Sequence, residues 1–156
     1  MAHIHEKIDF TVETFVVHQQ TVLLRKHDKY KIWLSVGGHI ELDEDPNEAA
    51  VREVKEEVGL DVTLYRSASY SLPACDHFRD LIAPQFVNRH HINETHEHIT
   101  LVYFATSDTN VLALSEAEKS DECKWFTKQE LEDAAYEISE HVKLYAHTAL
   151  DTLGTQ

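Results

Sequence analysis

The sequence predicts an α/β (α+β) fold in a single domain, and three observations lead to this prediction. The chain has 156 residues, enough to enclose one hydrophobic core. Its first part is rich in Val, Phe and Thr, as strands are. Helical signals mark the middle of the chain and its C-terminal part. No internal repeat, low-complexity tract or Gly/Ser linker divides the sequence, so residues 1–156 are expected to form one domain.

Five segments have the composition or the alternation of apolar residues that is typical of strands. They are residues 10–18, 21–25, 31–36, 60–72 and 98–106. Gln19 and Gln20 separate the first two segments and are predicted to form a hairpin turn. The segment 60–72 is long enough for one long strand or for a hairpin.

The helix predicted for residues 46–58 has the clearest boundaries in the chain. Asp45 is suited to the N-cap, and Pro46 to the first helical position. Glu48 completes a capping box with Asp45. Gly59 follows the last turn, where a left-handed residue is expected.

Two later segments are also predicted to be helical. They cover residues 127–135 and 137–153. In the second of these segments, apolar residues recur at steps of three or four, which is the spacing of one helix face.

Charge and composition narrow the classes of function. The formal net charge of −14 opposes binding to nucleic-acid backbones and to anionic membranes. Residues 1–9 lack the apolar run of a signal peptide, and no segment approaches the roughly 20 apolar residues of a membrane span. A cytoplasmic location is therefore expected. Cys75 and Cys123 form no CxxC motif and are expected to be free thiols.

The helix 46–58 carries three carboxylates on one side. At about 100° per residue, Glu53, Glu56 and Glu57 fall within an arc of roughly 100° and are expected to point into a shared pocket. Glu53 and Glu57 repel each other unless a cation lies between them. Mg²⁺, which is commonly held by a few carboxylates, would fill that role. An isolated run of this kind is more often a solvated acidic surface.

Other residues of the helix are expected to hold it in place. Val51, Val54 and Val58 lie on a different face and are predicted to seat the helix on a sheet. Arg52 lies beside the carboxylates and can orient one of them.

The spacing upstream of the helix changes the balance between these interpretations. Gly38 is followed after five residues by Glu44, and after seven more by residues 52–60, R-E-V-K-E-E-V-G-L. This arrangement resembles the Nudix box, G-x5-E-x7-R-E-U-x-E-E-x-G-U with U aliphatic, at every defined position. The resemblance implies a Nudix hydrolase, MutT-like, with a mixed central sheet in an α/β/α sandwich.

The resemblance also implies a loop–helix–loop platform that holds Mg²⁺, with Mn²⁺ as a substitute. By position, Glu53 and Glu57 correspond to direct metal ligands, and Glu56 to a third ligand or the general base. The carbonyl of Gly38 is a further candidate ligand.

Three more positions of the box have implied roles in holding the platform together. Arg52 corresponds to the residue that pairs with carboxylates, including Glu44, and so fixes the helix to the loop. A planar guanidinium can hold a carboxylate through two hydrogen bonds. Gly59 ends the helix.

Four residues outside this pattern are weaker candidates. His39 could reach a substrate phosphate or only pack the loop. Arg25 and Lys26 begin a basic stretch that could bind substrate phosphate or form a polar hairpin. Glu97 competes with Glu56 as the general base, and its alternative is a surface position at a strand end.

Histidines are concentrated between residues 77 and 98, which raises the question of a zinc site. They are His77, His90, His91, His96 and His98. Their spacings match no common zinc pattern, and adjacent residues such as His90 and His91 point to opposite faces of a strand. A loop that lines the substrate site is the milder interpretation.

The function implied by the resemblance is attack of water on a phosphorus atom in a nucleoside diphosphate linked to another moiety. The partner is then a small nucleotide-like diphosphate. Dimers are common among such folds, so a homodimer is a candidate oligomeric state. A Nudix-fold binding or regulatory domain without turnover is the main alternative, and a related isomerase with an altered box and a dedicated cysteine is another. The intact glutamates favour the hydrolase.

Overall fold

The computed structural model describes residues 4–27, 30–67, 69–114 and 122–155. Within these residues, eight strands form one sheet. The strands are β1 (Ile8–His18), β2 (Thr21–Lys26), β3 (Trp33–Leu34), β4 (Val36–His39), β5 (Thr63–Leu64), β6 (Phe86–His91), β7 (Glu97–Thr106) and β8 (Glu122–Phe126). The helices are α1 (Pro46–Val58), α2 (Lys128–Leu131) and α3 (Glu140–Leu153), with a 3-10 turn at Ala134–Tyr136.

The sheet is mixed, as predicted. The longest pairing joins β1 and β7 in parallel, from Ile8 opposite Glu97 to Val17 opposite Thr106. The other pairings are antiparallel: β1 with β2 and β4, β2 with β3 and β8, and β7 with β5 and β6. β1 is central in the sheet, so β4 and β7 both lie next to it.

The helices cover both faces of the sheet, so the predicted α/β/α sandwich is confirmed. Val12 and Val16 of β1 pack against α1, and this side is here called the α1 face. Phe15 and Val17 pack against α3, and this side is called the α3 face. Successive residues of a strand point to opposite faces, so the residues of β1 alternate between the α1 face and the α3 face.

The boundaries predicted for α1 are confirmed. The Asp45 side chain accepts from the backbone N–H groups of Asn47 and Glu48, at 2.8 and 3.0 Å. The Glu48 carboxylate accepts from the N–H of Asp45 at 2.9 Å. Gly59 has a φ of 74°, which is the left-handed conformation expected at the helix end.

One residue expected to seat α1 on the sheet does not do so. Val54 and Val58 are fully buried, but Val51 is 39% exposed. Ala49 and Ala50 fill the remaining apolar contact. At about 100° per residue, the buried stripe of α1 is centred more than 100° from Val51. The centre of that stripe lies close to the direction of Glu57, so α1 presents acidic side chains to the sheet.

Several sequence-based boundaries are wrong in ways that the sheet explains. Residues 31–36 divide into β3, which pairs with β2, and β4, which pairs with β1. The long strand or hairpin predicted at 60–72 is only the two-residue strand β5, and Arg66, just after it, pairs with Asp80 of a later loop.

Two strands and a helix break were missed by the sequence analysis. β6 has few apolar residues and lies at a sheet edge, and β8 has only five residues. The helix predicted at 127–135 divides into α2 and the 3-10 turn, and the one predicted at 137–153 begins at Glu140.

The structure also bears on the cysteines and on membrane insertion. Cys75 and Cys123 are thiols rather than half-cystines, as expected. In the described ranges, no helix combines the length and the apolar character that a membrane span requires.

Candidate active site

Helix α1 turns two of its three candidate carboxylates toward the sheet. Glu53 is 3% exposed, and the Glu57 side chain is 12% exposed. The Glu56 side chain is 60% exposed and faces solvent. The three carboxylates therefore do not enter one shared pocket, because Glu56 lies beyond the edge of the buried stripe of the helix.

Strand β4 contains two glycines, Gly37 and Gly38, at the place where Glu53 and Glu57 reach the sheet. No side chain of these two residues separates the carboxylates from the backbone. The N–H of Gly37 donates to Glu57 Oε2 at 3.1 Å. A Cβ atom on Gly38 would lie only 2.4 Å from Glu53 Oε1. A side chain at this position would therefore push the Glu53 carboxylate out of its place. The main chain of Gly38 and the carboxylate of Glu53 thus lie in direct contact.

Arg52 joins the helix to the loop that precedes it. Its guanidinium holds Glu44 through two hydrogen bonds, Nη2 to Oε1 at 2.6 Å and Nε to Oε2 at 2.9 Å. Nη2 also donates to the carbonyl of His39 at 3.0 Å. The same side chain donates through Nη1 to Glu53 at 2.9 Å and to Glu56 at 3.1 Å. One arginine therefore fixes the positions of three carboxylates.

Burial and the guanidinium act in opposite directions on the carboxylates. The hydrogen bond from Arg52 holds the pKa of Glu44 below its usual value. Burial raises the pKa of Glu53, and the hydrogen bond from Arg52 opposes this only in part. A further cation beside Glu53 would favour its ionised form.

Arg25 also lies beside the carboxylates of α1. Its Nη2 atom is 2.8 Å from Glu57 Oε1, and both side chains are 12% exposed. Two guanidinium groups and the backbone of Gly37 thus surround the carboxylates of α1 in this structure.

Comparison with known proteins identifies the group to which this arrangement belongs. The model of the NUDIX domain matches residues 10–147, which is more than half of the chain. The chain belongs to the Nudix family. The resemblance seen in the box is therefore confirmed.

Solved structures agree with this assignment. A Nudix-family hydrolase from Clostridium perfringens is 36% identical, with a TM-score of 0.80, and the match covers 92% of this chain and 97% of that one. The dihydroneopterin triphosphate pyrophosphohydrolase of E. coli has a TM-score of 0.64 at 17% identity, over 95% of this chain and all of that one. At this lower identity, the second likeness concerns the fold alone.

One curated relative is named as an enzyme. The dihydroneopterin triphosphate diphosphatase of Haemophilus influenzae is 35% identical over 77 residues, which are 49% of this chain and 48% of that protein. The match thus spans about half the length of the relative. The name records a diphosphatase activity of that relative.

Two of the predicted substrate-binding residues point away from the Nudix glutamates. The ring of His39 lies on the α3 face, where Nε2 is 3.2 Å from Asp9 Oδ2. Lys26 lies on the same face, with Nζ 5.8 Å from the centre of the Trp33 ring. Alternation along the strand explains the contrast with Arg25, which points to the α1 face.

Glu97 lies on the α1 face but at the beginning of β7. It forms ion pairs with Arg89 and with His91, the latter at 3.2 Å. Glu97 is opposite Ile8, whereas Gly38 is opposite Val12. Four residues of extended chain, about 13 Å, separate these levels of the sheet.

Histidines that the sequence singled out separately come together with buried acidic residues on the α3 face, which was not predicted. Burial raises the pKa of Glu13 to about 7, although its hydrogen bond with Ser35 acts in the other direction. Burial and the neighbouring histidines His39, His90 and His96 lower the pKa of His98 to about 4. Glu13, His39 and His98 come from three different strands, so the spacing of the histidines between residues 77 and 98 could not indicate the whole group.

Proposed function

We propose that the protein is a Mg²⁺-dependent hydrolase that cleaves a diphosphate linkage in a small nucleotide-like molecule. The supporting observation is the convergence of Glu53 and Glu57 on the bare backbone of Gly37 and Gly38. This arrangement places two carboxylates against the strand that carries Gly38, whose carbonyl is the further candidate ligand, and hard oxygen ligands of this kind suit Mg²⁺ or Mn²⁺.

The residues present fit such an ion. Burial raises the pKa of Glu53, and a cation beside it would favour the ionised carboxylate. In this proposal Glu53, Glu57 and the carbonyl of Gly38 hold the ion, and Glu56 lies beside them. Bound Mg²⁺ would neutralise phosphate charge and lower the barrier to attack by water.

The arginines of the cluster position the reacting groups. Arg52 orients Glu53 and Glu56 from one side and anchors the loop through Glu44, so loss of its fork would misplace two carboxylates at once. Arg25 balances the charge of Glu57. It lies beside the carboxylates, in a position to contact a substrate phosphate bound there.

We assign the proton-accepting role to Glu56 rather than to Glu97. Glu56 is exposed and lies one helical turn from Arg52, which holds it at 3.1 Å. Glu97 is engaged by Arg89 and His91 at a different level of the sheet. A general base must lie within hydrogen-bond reach of its proton or one water away, which favours the residue on α1.

A substrate panel tests the proposal directly. The purified protein is incubated with nucleoside triphosphates, nucleotide sugars, dinucleoside polyphosphates, NADH and dihydroneopterin triphosphate, the last because of the name of the 35% identical relative. Phosphate and pyrophosphate release are measured with Mg²⁺, with Mn²⁺ and with a chelator. We expect cleavage of at least one compound with either metal and none with the chelator. Metal-independent cleavage, or no cleavage of any compound, contradicts the proposal.

Variants of the acidic residues then locate the chemistry. We expect Glu57→Gln to lower kcat by more than about 100-fold, since a ligand to the catalytic ion is lost. Glu56→Gln should have a comparable effect, and Glu97→Gln a small one. Glu140→Gln is the matched control, because the Glu140 side chain on α3 is 93% exposed. Near-native turnover by Glu57→Gln would show that the ligand assignment is wrong.

A further inference from the structure

Three neighbouring strands bring a carboxylate and two imidazoles together on the α3 face of the sheet. Asp9 lies on β1, His39 on β4 and His98 on β7. Asp9 is directly opposite His98, and His39 is opposite Thr11, one step along the same face of β1. One ligand atom from each of the three side chains can be chosen so that all lie within 4.8 Å of one another.

Asp9 is buried and oriented before any ligand arrives. It is fully buried, and its Oδ1 accepts from the N–H of His5 at 2.6 Å. Its Oδ2 accepts from the N–H of Ile4 at 3.2 Å and lies 3.2 Å from Nε2 of His39. The backbone therefore turns Oδ2 toward the histidines. A carboxylate buried in this way retains its charge most easily when a cation lies next to it.

The imidazoles are arranged around that oxygen by ring contacts. The ring centres of His39 and His98 are 5.0 Å apart, at an angle of 81°. His96 packs edge-on against His98, at 5.2 Å, and its Nε2 lies 3.4 Å from Asp9 Oδ2. His96 is itself held, since its Nδ1 lies 3.3 Å from the carbonyl of Glu6. These contacts surround the three candidate ligands with residues that can fix their orientation.

We propose that Asp9, His39 and His98 form a second metal site, selective for a divalent transition-metal ion of the zinc class. Two imidazole nitrogens and one carboxylate oxygen are a ligand set that suits Zn²⁺, with a remaining position for water or an anion. His96 is a positioning residue that contacts the carboxylate. The ion would tie β4, β1 and β7 together at the end of the sheet.

The carboxylates of Glu53, Glu56 and Glu57 on α1 are here called the acidic cluster. The proposed site is distinct from this cluster in both place and chemistry. The acidic cluster lies on the α1 face and offers only oxygen ligands, which Mg²⁺ prefers. The proposed site lies on the opposite face and offers nitrogen, which Mg²⁺ binds poorly. A zinc-class ion should therefore remain bound here when excess Mg²⁺ occupies the other site.

Metal titration of the full chain tests the proposal. The protein is stripped with a chelator, and Zn²⁺ is titrated in excess Mg²⁺ against a chromophoric competitor. Co²⁺ is added in a parallel experiment to record its visible absorption. We expect one equivalent of tightly bound Zn²⁺ and a Co²⁺ spectrum of low coordination number. His98→Ala should weaken Zn²⁺ binding by more than about 100-fold, since loss of outer-shell partners alone costs 10- to 100-fold.

Two further variants make the result specific. His91→Ala is the matched control, because His91 also lies in the histidine-rich segment but its side chain is 76% exposed. It should bind Zn²⁺ as the wild type does, and so should Glu57→Gln. If circular dichroism shows that His98→Ala does not fold, His39→Ala is measured in its place.

Three outcomes would overturn the proposal, and none of them depends on hydrolysis of a substrate. The first is a wild-type protein that binds no Zn²⁺ in excess Mg²⁺. The second is a folded His98→Ala or His39→Ala variant with wild-type affinity. The third is loss of Zn²⁺ binding in Glu57→Gln alone, which would place the ion at the acidic cluster.

Discussion

The two faces of the sheet differ in how their polar groups are assembled. On the α1 face, the acidic cluster comes mainly from one stretch of chain, residues 37–57, with Arg25 added from β2. On the α3 face, Asp9, His39 and His98 come from three strands that are far apart in sequence. The strand β4 serves both faces, because Gly38 lies against Glu53 while the ring of His39 reaches Asp9. A local sequence motif therefore predicts the polar group on the α1 face but not the one on the α3 face.

The largest effect is expected where β4 meets α1. Gly38→Ala would place a methyl group 2.4 Å from Glu53 Oε1 and displace the carboxylate. We expect kcat for the substrate identified in the panel to fall by about 100-fold or more, since small displacements of catalytic groups cost about that much. Gly154→Ala is the control, because its added methyl group would also clash, here with the carbonyl oxygen of Leu150 at 2.5 Å near the end of α3. Gly154→Ala should lower the stability of the protein without lowering kcat. If both variants lost kcat equally, Gly38 would have no special role in the site.

An intermediate effect is expected on the α3 face, from the buried acid Glu13. Its pKa is raised from 4.5 to about 7 in the folded protein, because burial disfavours the carboxylate. The folded state therefore binds more protons than the unfolded state between these values, and the free energy of unfolding decreases as the pH rises from about 4.5 to about 7. The loss reaches up to about 3 kcal/mol at neutral pH.

Urea denaturation of the wild type and Glu13→Gln across this pH range measures that contribution. The variant cannot ionise at this position, so the difference in stability between the two proteins should change with pH below 7 and level off above it. A difference that is constant from pH 4.5 to pH 7 would show that Glu13 titrates normally.

The smallest of these effects concerns the contact that joins the loop to α1. Arg52→Lys keeps the charge but loses the paired hydrogen bonds to Glu44. We expect the free energy of unfolding to fall by about 1–2 kcal/mol. Arg79→Lys is the matched control, because Arg79 pairs with Asp45 and Glu48 but its side chain is 59% exposed. Arg79→Lys should lower the free energy of unfolding by less than about 1 kcal/mol. Equal losses in the two variants would mean that the paired hydrogen bonds between Arg52 and Glu44 add no stability.

The sequence was informative where structure depends on neighbours in the chain. The capping residues Asp45 and Gly59 fixed both ends of α1, and the box spacing identified the family. Val51 was placed wrongly because its burial depends on how α1 rotates against the sheet. The strand β6 was missed because an edge strand needs little apolar sequence.

The candidate site shows the same division. The contact between Arg52 and Glu44 follows from the box, but the pairing of Arg25 with Glu57 depends on where β2 lies in the sheet. The group around Asp9 was beyond prediction, because spacing among residues 77–98 carries no information about partners on β1 and β4. Only the register of the strands brings them together.

The parallel pairing of β1 with β7 also affects how the chain reaches this fold. Thr11 and Thr100 are 89 positions apart, yet their hydroxyl oxygens are 2.7 Å apart in the middle of the sheet. During synthesis, β1 therefore waits until about two thirds of the chain has emerged before its longest partner is available. Non-local pairing of this kind slows folding and leaves a hydrophobic strand open to aggregation in the interval. Early α1 formation against β1 and β4 would shorten the exposure of one side of that strand.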